Sequence, residues 1–94
     1  MKTTKYRINK PEKTIDMLKF FLARSGISIQ KVSEKLGKSR QHIHQTIANY
    51  DRINITKIKQ IIGAMNELCN GAVSEQEEQE IVKVFLEEAK PLNN

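Results

Sequence analysis

The sequence predicts an all-α fold, with five helices packed around one small core. Apolar residues recur three and four positions apart, the spacing that places side chains on one face of a helix. Serine, asparagine and glycine stand where these segments begin and end, as helix caps do. The chain has 94 residues, of which 38% are hydrophobic and 29% charged, so it suits one globular domain. The helices are predicted at residues 11–25, 28–36, 39–49, 54–68 and 74–90.

The first helix is predicted from an apolar stripe that follows Pro11, a residue suited to a first helical turn. Ser25 and Gly26 should end it, because glycine tolerates the positive φ of a chain leaving a helix. Two of the three phenylalanines lie in this stripe, so we expect them in the core rather than on a base-stacking surface. The stripe comprises Ile15, Leu18, Phe21 and Leu22, widened by Met17 and Phe20.

Residues 28–49 predict two short helices with a tight break at Gly37. Ser28 and Ser39 can cap these helices, and Ser33 is small enough to let them approach closely. The buried faces are marked by pairs of apolar residues four positions apart, Val32 with Leu36 and Ile43 with Ile47. This is the plan of a helix-turn-helix motif.

The outer face of the second of these helices is polar and carries no acidic residue. A solvated helix usually mixes Glu with Lys, whereas Arg and Gln are the side chains that pair with guanine and adenine edges in a major groove. The face therefore indicates contact with DNA bases. Its outward residues are predicted to be Ser39, Arg40, Gln41, His44, Gln45 and Ala48.

The run SIQKVSEKLG of residues 28–37, followed by KSRQHIHQTI of residues 38–47, resembles the phage-repressor (Cro-like, lambda-repressor-like) helix-turn-helix family. By pattern the similarity extends over roughly residues 13–68. It implies a five-helix DNA-binding domain in which residues just inside the second helix of the motif contact bases. Carried over to this chain, the base-contacting residues are Arg40, Gln41 and Gln45, with Ser39 and His44 as further candidates.

The resemblance also implies contacts to the phosphate backbone. Ile29 stands where the family often has a phosphate-contacting Gln, so Gln30 and Lys31 are the candidates there. In the family the start of the fourth helix lies by the backbone, which favours Lys57 beside the expected cap Asn54. The full predicted set is Gln30, Lys31, Lys38, Arg52 and Lys57. The buried stripe of that helix is predicted to be Ile55, Ile58, Ile61, Ile62 and Met65.

The net charge of +5 is unevenly distributed. Residues 1–73 hold fourteen Lys and Arg against five Asp and Glu, whereas residues 74–94 hold two against six. A basic body suits a polyanion and an acidic tail does not. We therefore divide the chain into a basic arm at 1–10, a DNA-binding domain at 11–73 and an acidic amphipathic helix at 74–94. The arm either gains order on DNA or is a solvated terminus.

The last helix should open with a capping box formed by Ser74 and Glu77 and end before Pro91. Its apolar stripe allows two interpretations: a subunit contact in a homodimer, which we favour, or a helix packed on its own domain. A homodimer doubles the number of base pairs read, which a small reader needs for selectivity. The predicted interface is Ile81, Val82, Phe85, Leu86 and Ala89.

Nothing in the sequence indicates catalysis, a metal site or a cofactor. His42 and His44 are two positions apart, so they lie on different sides of a helix, whereas helical metal ligands share a face. Cys69 is the only cysteine and should be a small buried apolar residue near a helix end, which fits a reducing cytoplasm. No apolar run has the length of a membrane span, and the basic N-terminus lacks the apolar core of a secretory signal.

The expected function is that of a sequence-specific transcriptional regulator, a repressor of the phage or mobile-element kind. It would bind a palindromic operator in double-stranded DNA as a cytoplasmic homodimer. One alternative is a protein-interaction module, such as an antitoxin or a phage-encoded inhibitor, whose partner is another protein. The other is an architectural or segregation DNA-binding protein with little preference among sequences.

Overall fold

The computed structural model describes residues 11–48 and 53–88, and within these two stretches the chain is entirely helical. The all-α prediction with five helices is therefore confirmed for this part of the chain. Each helix starts one residue later than predicted, because the prediction counted the capping residue as helical. The helices are α1 (Glu12–Ser25), α2 (Ile29–Leu36), α3 (Arg40–Ala48), α4 (Ile55–Leu68) and α5 (Glu75–Glu88).

The predicted helix caps are present. Gly26 and Gly37 end α1 and α2 in the left-handed conformation, with φ of 67° and 71°. The capping box before α5 is reciprocal: Ser74 N donates to Glu77 Oε1, and Glu77 N donates to Ser74 Oγ, each at 3.1 Å. Three further N-terminal caps accept backbone N–H groups, Ser28 from Lys31, Ser39 from His42 and Asn54 from Lys57.

The N-terminus of α1 is capped by the far end of the chain. Glu88, the last residue of α5, accepts hydrogen bonds from the backbone N–H groups of Lys13 and Thr14, both at 2.8 Å. It also accepts from the hydroxyl of Thr14 at 2.9 Å, and Thr14 is fully buried. Pro11, at the N-cap position, makes no side-chain cap, so the carboxylate of Glu88 supplies it.

A second polar contact joins the opposite ends of the same two helices. Arg24, in the last turn of α1, donates to both carboxylate oxygens of Glu77 at 2.7 and 2.9 Å, and to the carbonyl of Ala72 at 2.7 Å. Its guanidinium also lies 5.4 Å from the ring centre of Phe20 and 5.1 Å from that of Phe21. With Glu88 at the other end, this contact fixes α5 antiparallel to α1.

One hydrophobic core joins all five helices. α1 packs on α5, α2 packs on α3 and α4, and α5 also contacts α4. Every predicted stripe contributes, and the short turn before α5 adds Ala72 and Val73, which the sequence had not singled out. The most deeply buried large side chains are Leu18, Val32, Ile58, Ile61, Ile62, Met65 and Ile81.

The structure corrects two predictions of burial. Phe20 is 59% exposed, because α1 turns it away from the core and leaves one ring face to Arg24. Cys69 is exposed, since α4 ends at Leu68 and the chain turns outward before re-entering the core at Ala72. Met17, also predicted in the stripe, is partly buried against the core.

The predicted dimer stripe is also corrected in part. Ile81 and Phe85 are 0% and 8% exposed within the single chain, because α5 lays them on its own core. They are therefore not free for a subunit contact. Val82 packs partly on the same core, Leu86 is 54% exposed, and Ala89 lies outside the described residues. The alternative of a helix packed on its own domain thus describes most of the stripe.

None of the five helices has the length and apolar character needed to cross a membrane, as far as the structure describes the chain.

Candidate nucleic-acid interface

The polar face of α3 is held outward by what lies beneath it. Ile43 and Ile47 are each 3% exposed and fix the buried side of the helix. Ser33 of α2 is buried and donates its hydroxyl to the carbonyl of Gln30 at 2.7 Å, so it brings no unsatisfied polar atom into the contact between α2 and α3. Thr46 is buried too and donates to the carbonyl of His42 at 3.1 Å.

The structure leaves exposed all five residues predicted to contact bases. Arg40, Gln41 and His44 line one shallow hollow on the surface of α3. Gln45 lies on the same outer face, while the hydroxyl of Ser39 accepts the N–H of His42 as a helix cap. The hollow and the exposed face contain no carboxylate among the described residues, so nothing there would repel a polyanion. The side chain of Ala48 lies outside the description.

The opposite flank of α3 borders a groove of about 270 Å³ between α3 and α4. Two of the predicted phosphate contacts, Lys38 and Lys57, line it together. The polar wall also includes His42 and Thr56 and the floor includes Ile61, and no acidic residue is among the lining residues. The groove exists because α3 packs mainly on α2 and makes few contacts with α4. It therefore places two ammonium groups beside the candidate base-reading helix.

The remaining predicted phosphate contacts lie elsewhere. Gln30 and Lys31 are exposed on the first turn of α2, and neither lines the groove between α3 and α4. The side-chain amide of Gln30 donates to Glu34 at 3.0 Å, so part of its polar capacity is used within α2. Arg52 and the basic arm at 1–10 lie outside the described residues.

His42 is the groove residue that sequence reasoning missed. The sequence indicated an ordinary polar residue of a groove-facing helix rather than a metal ligand, and assigned it no DNA contact. No cluster of His, Cys, Asp and Glu suited to a metal occurs in the described residues. His42 and His44 lie on different flanks of α3, as their spacing predicted, and line different hollows. The signal in the sequence is that His42 precedes Thr46 by four positions, which places both on the flank that faces α4.

The acidic residues of α5 gather on another part of the surface. Glu75 and Glu78 line a hollow between α4 and α5, together with Lys59, Gln79 and Val82. Because α5 packs on α1 and α4, its carboxylates line neither of the two hollows beside α3. The uneven charge of the sequence is thus reproduced as two separate surfaces, a basic one around α3 and an acidic one along α5.

No protein-family model matches this chain, and no curated protein sequence or solved structure is significantly similar to it.

Proposed function

We propose that this chain is a sequence-specific DNA-binding regulator of the phage-repressor-like helix-turn-helix type, acting as a cytoplasmic repressor. In this proposal α3 enters a major groove, with Arg40 and Gln41 as the main base contacts and Gln45, His44 and Ser39 beside them. The observation that carries the proposal is the outer face of α3. Among the described residues this face is exposed, rich in side chains that can hydrogen-bond to base edges, and free of carboxylates.

The surroundings of α3 support the same function. Lys38 and Lys57 line the groove on one flank of the helix, at a position where a DNA backbone would pass if α3 lay in the major groove. The acidic surface of α5 lies apart from both hollows, so it would not oppose binding. The basic arm and Arg52 would add phosphate contacts, and Gln30 and Lys31 would do so from the start of α2.

The proposal includes a homodimer on a palindromic operator. With Ile81 and Phe85 buried in the chain's own core, the residues of the predicted stripe that remain accessible for a subunit contact are Val82 and Leu86. The same exposed leucine suits the alternative of a protein-interaction module, because an exposed apolar side chain can contact a partner protein.

Selection of bound fragments from a random duplex library tests the function. A regulator should enrich one sequence, with two-fold symmetry if it binds as a dimer, and its affinity should fall steeply as salt is raised. If the chain bound duplex DNA without enriching any sequence, the result would favour an architectural protein. If it did not bind duplex DNA at low salt, the remaining candidate would be the protein-interaction module. Lys57→Ala should weaken binding to every sequence alike, whereas Gln76→Ala, an exposed change on α5, should leave affinity unchanged.

A further inference from the structure

The groove between α3 and α4 brings together three groups that can carry positive charge. Lys38 reaches it from the turn after α2, His42 from α3, and Lys57 from the first turn of α4. From α2 only the apolar Leu36 lines it, and no Asp or Glu is among the lining residues. A protonated imidazole here would therefore face two ammonium groups and no described counter-charge.

The imidazole of His42 has no structural task among the described residues. The residue is exposed, its backbone N–H is taken by Ser39, and its carbonyl accepts the hydroxyl of Thr46. No hydrogen bond to its ring nitrogens occurs in the part of the chain that the structure describes. Within the described residues, the ring is thus available to a ligand that enters the groove.

We propose that His42 binds a backbone phosphate of duplex DNA as an imidazolium, together with Lys38 and Lys57, and that the chain takes up one proton at this position on binding. The inference rests on the proposed function and adds to it a residue and a pH dependence. A protonated imidazole offers two N–H donors and a positive charge, whereas the neutral ring offers one donor and an acceptor nitrogen that repels phosphate. Histidine is the side chain that changes charge between about pH 5 and 8, so affinity rises as pH falls through that range.

The second histidine is an internal control. His44 lies on the opposite flank of α3, in the hollow that it shares with Arg40 and Gln41. In the proposed function it faces base edges and not the phosphate backbone. Both residues are exposed and lie on the same helix. A difference between their variants therefore reports on the groove and not on helix stability.

The experiment measures the affinity of the full chain for a mixed-sequence duplex of about 20 base pairs, by fluorescence anisotropy, at constant ionic strength. The wild type should bind roughly three- to tenfold more tightly near pH 6 than near pH 8. His42→Gln should remove this dependence and hold affinity at the wild-type value of the higher pH. His44→Gln should keep the dependence, and His42→Lys should bind tightly at both values because its charge is fixed.

A salt titration separates a phosphate contact from an indirect effect. Near pH 6 the slope of log affinity against log salt should be smaller by about 0.9 in His42→Gln than in the wild type, since one phosphate contact is lost. A pH dependence that persists in His42→Gln, or that disappears in His44→Gln instead, would overturn the inference and leave the proposed function intact. If no variant binds the duplex at about 50 mM salt, the proposed function fails and the inference fails with it.

Discussion

The contact between α1 and α5 and the outer face of α3 use polar side chains in opposite ways. Along α1 and α5 the charged groups bond to the protein itself: Glu88 caps α1, and Arg24 bonds to Glu77 and to the Ala72 carbonyl. On the outer face of α3 the side chains of Arg40, Gln41, His44 and Gln45 make no hydrogen bond within the described residues. These groups of α1 and α5 are satisfied within the protein, whereas the outer face of α3 leaves its donors and acceptors to solvent.

This difference identifies the candidate site better than charge alone does. A side chain whose donors are satisfied inside the chain contributes to stability, and binding a ligand through it would first cost those contacts. Exposed donors held on a rigid helix lose only water on binding, so they are suited to recognition. We therefore expect changes in the α1–α5 pair to alter stability and changes on α3 to alter binding, each with little effect on the other property.

The largest effect should come from Phe85→Asp. The sequence predicted Phe85 in a subunit interface, but Phe85 is 8% exposed within one chain. Removing the ring and burying a carboxylate should cost about 4 kcal/mol or more, enough to unfold a small domain. Circular dichroism should show loss of the helical signal.

Leu86→Asp is the matched control on the next residue, because Leu86 is 54% exposed. The variant should keep its helical signal. If α5 forms the subunit contact, light scattering should then give the mass of a monomer. A folded Phe85→Asp variant would contradict the core position of this residue.

Arg40→Ala and Gln41→Ala should each weaken binding to the selected operator by about 1–3 kcal/mol if their contacts are bidentate. Discrimination at one or two base pairs should relax, whereas the melting temperature should stay unchanged because both side chains are exposed and unbonded within the described chain. Anisotropy against single-base operator variants measures the effect. If the Arg40→Ala protein still discriminated fully among the operator variants, residues other than those at this end of α3 would read the bases.

The features that the sequence predicted are local ones. Ser28, Gly37 and the Ser74–Glu77 box act within one helix turn, so their spacing identified them. The cap from Glu88 to Thr14 joins residues 74 positions apart, and no periodicity reveals such a pair. The exposure of Phe20 depends likewise on where α5 lies, which is a property of the tertiary structure.

The same distinction applies to the candidate site. The outer face of α3 followed from Ile43 and Ile47, because two buried positions fix the orientation of a helix. The groove could not be predicted from the sequence, since it depends on the distance between α3 and α4. The place of His42 beside Lys57 depends on that distance and not on the spacing within α3.

Glu88→Ala should destabilise the fold by about 1–2 kcal/mol, because two N–H groups at the start of α1 and the buried hydroxyl of Thr14 lose their acceptor. Urea unfolding measures the change. Glu87→Ala is the control, since Glu87 is exposed on the same turn and makes no hydrogen bond or ion pair within the described residues. Equal losses in the two variants would mean that the cap does not contribute, and DNA affinity should be unchanged in both.

The smallest effect concerns acid and the contact between Arg24 and Glu77. The hydrogen bonds from Arg24, followed by the backbone hydrogen bond of Ser74, lower the pKa of Glu77 from 4.5 to about 2. Because the folded-state pKa lies below the ordinary value, the stabilisation is complete above about pH 4.5 and is lost as pH falls towards about 2. Both side chains are about one-third exposed, so solvent screening keeps the effect small.

Glu77→Gln isolates this contribution, since it keeps the shape of the side chain and removes its charge. The wild type should melt at a slightly higher temperature than Glu77→Gln near pH 6, and the difference should shrink as pH falls towards 2, where the carboxyl of Glu77 is about half protonated. Glu80→Gln, on an exposed position of α5, corrects for the general loss of negative charge. A difference between wild type and Glu77→Gln that stays constant from pH 6 to pH 2 would mean that the shape of the capping box, and not the ion pair with Arg24, holds this end of α5 against α1.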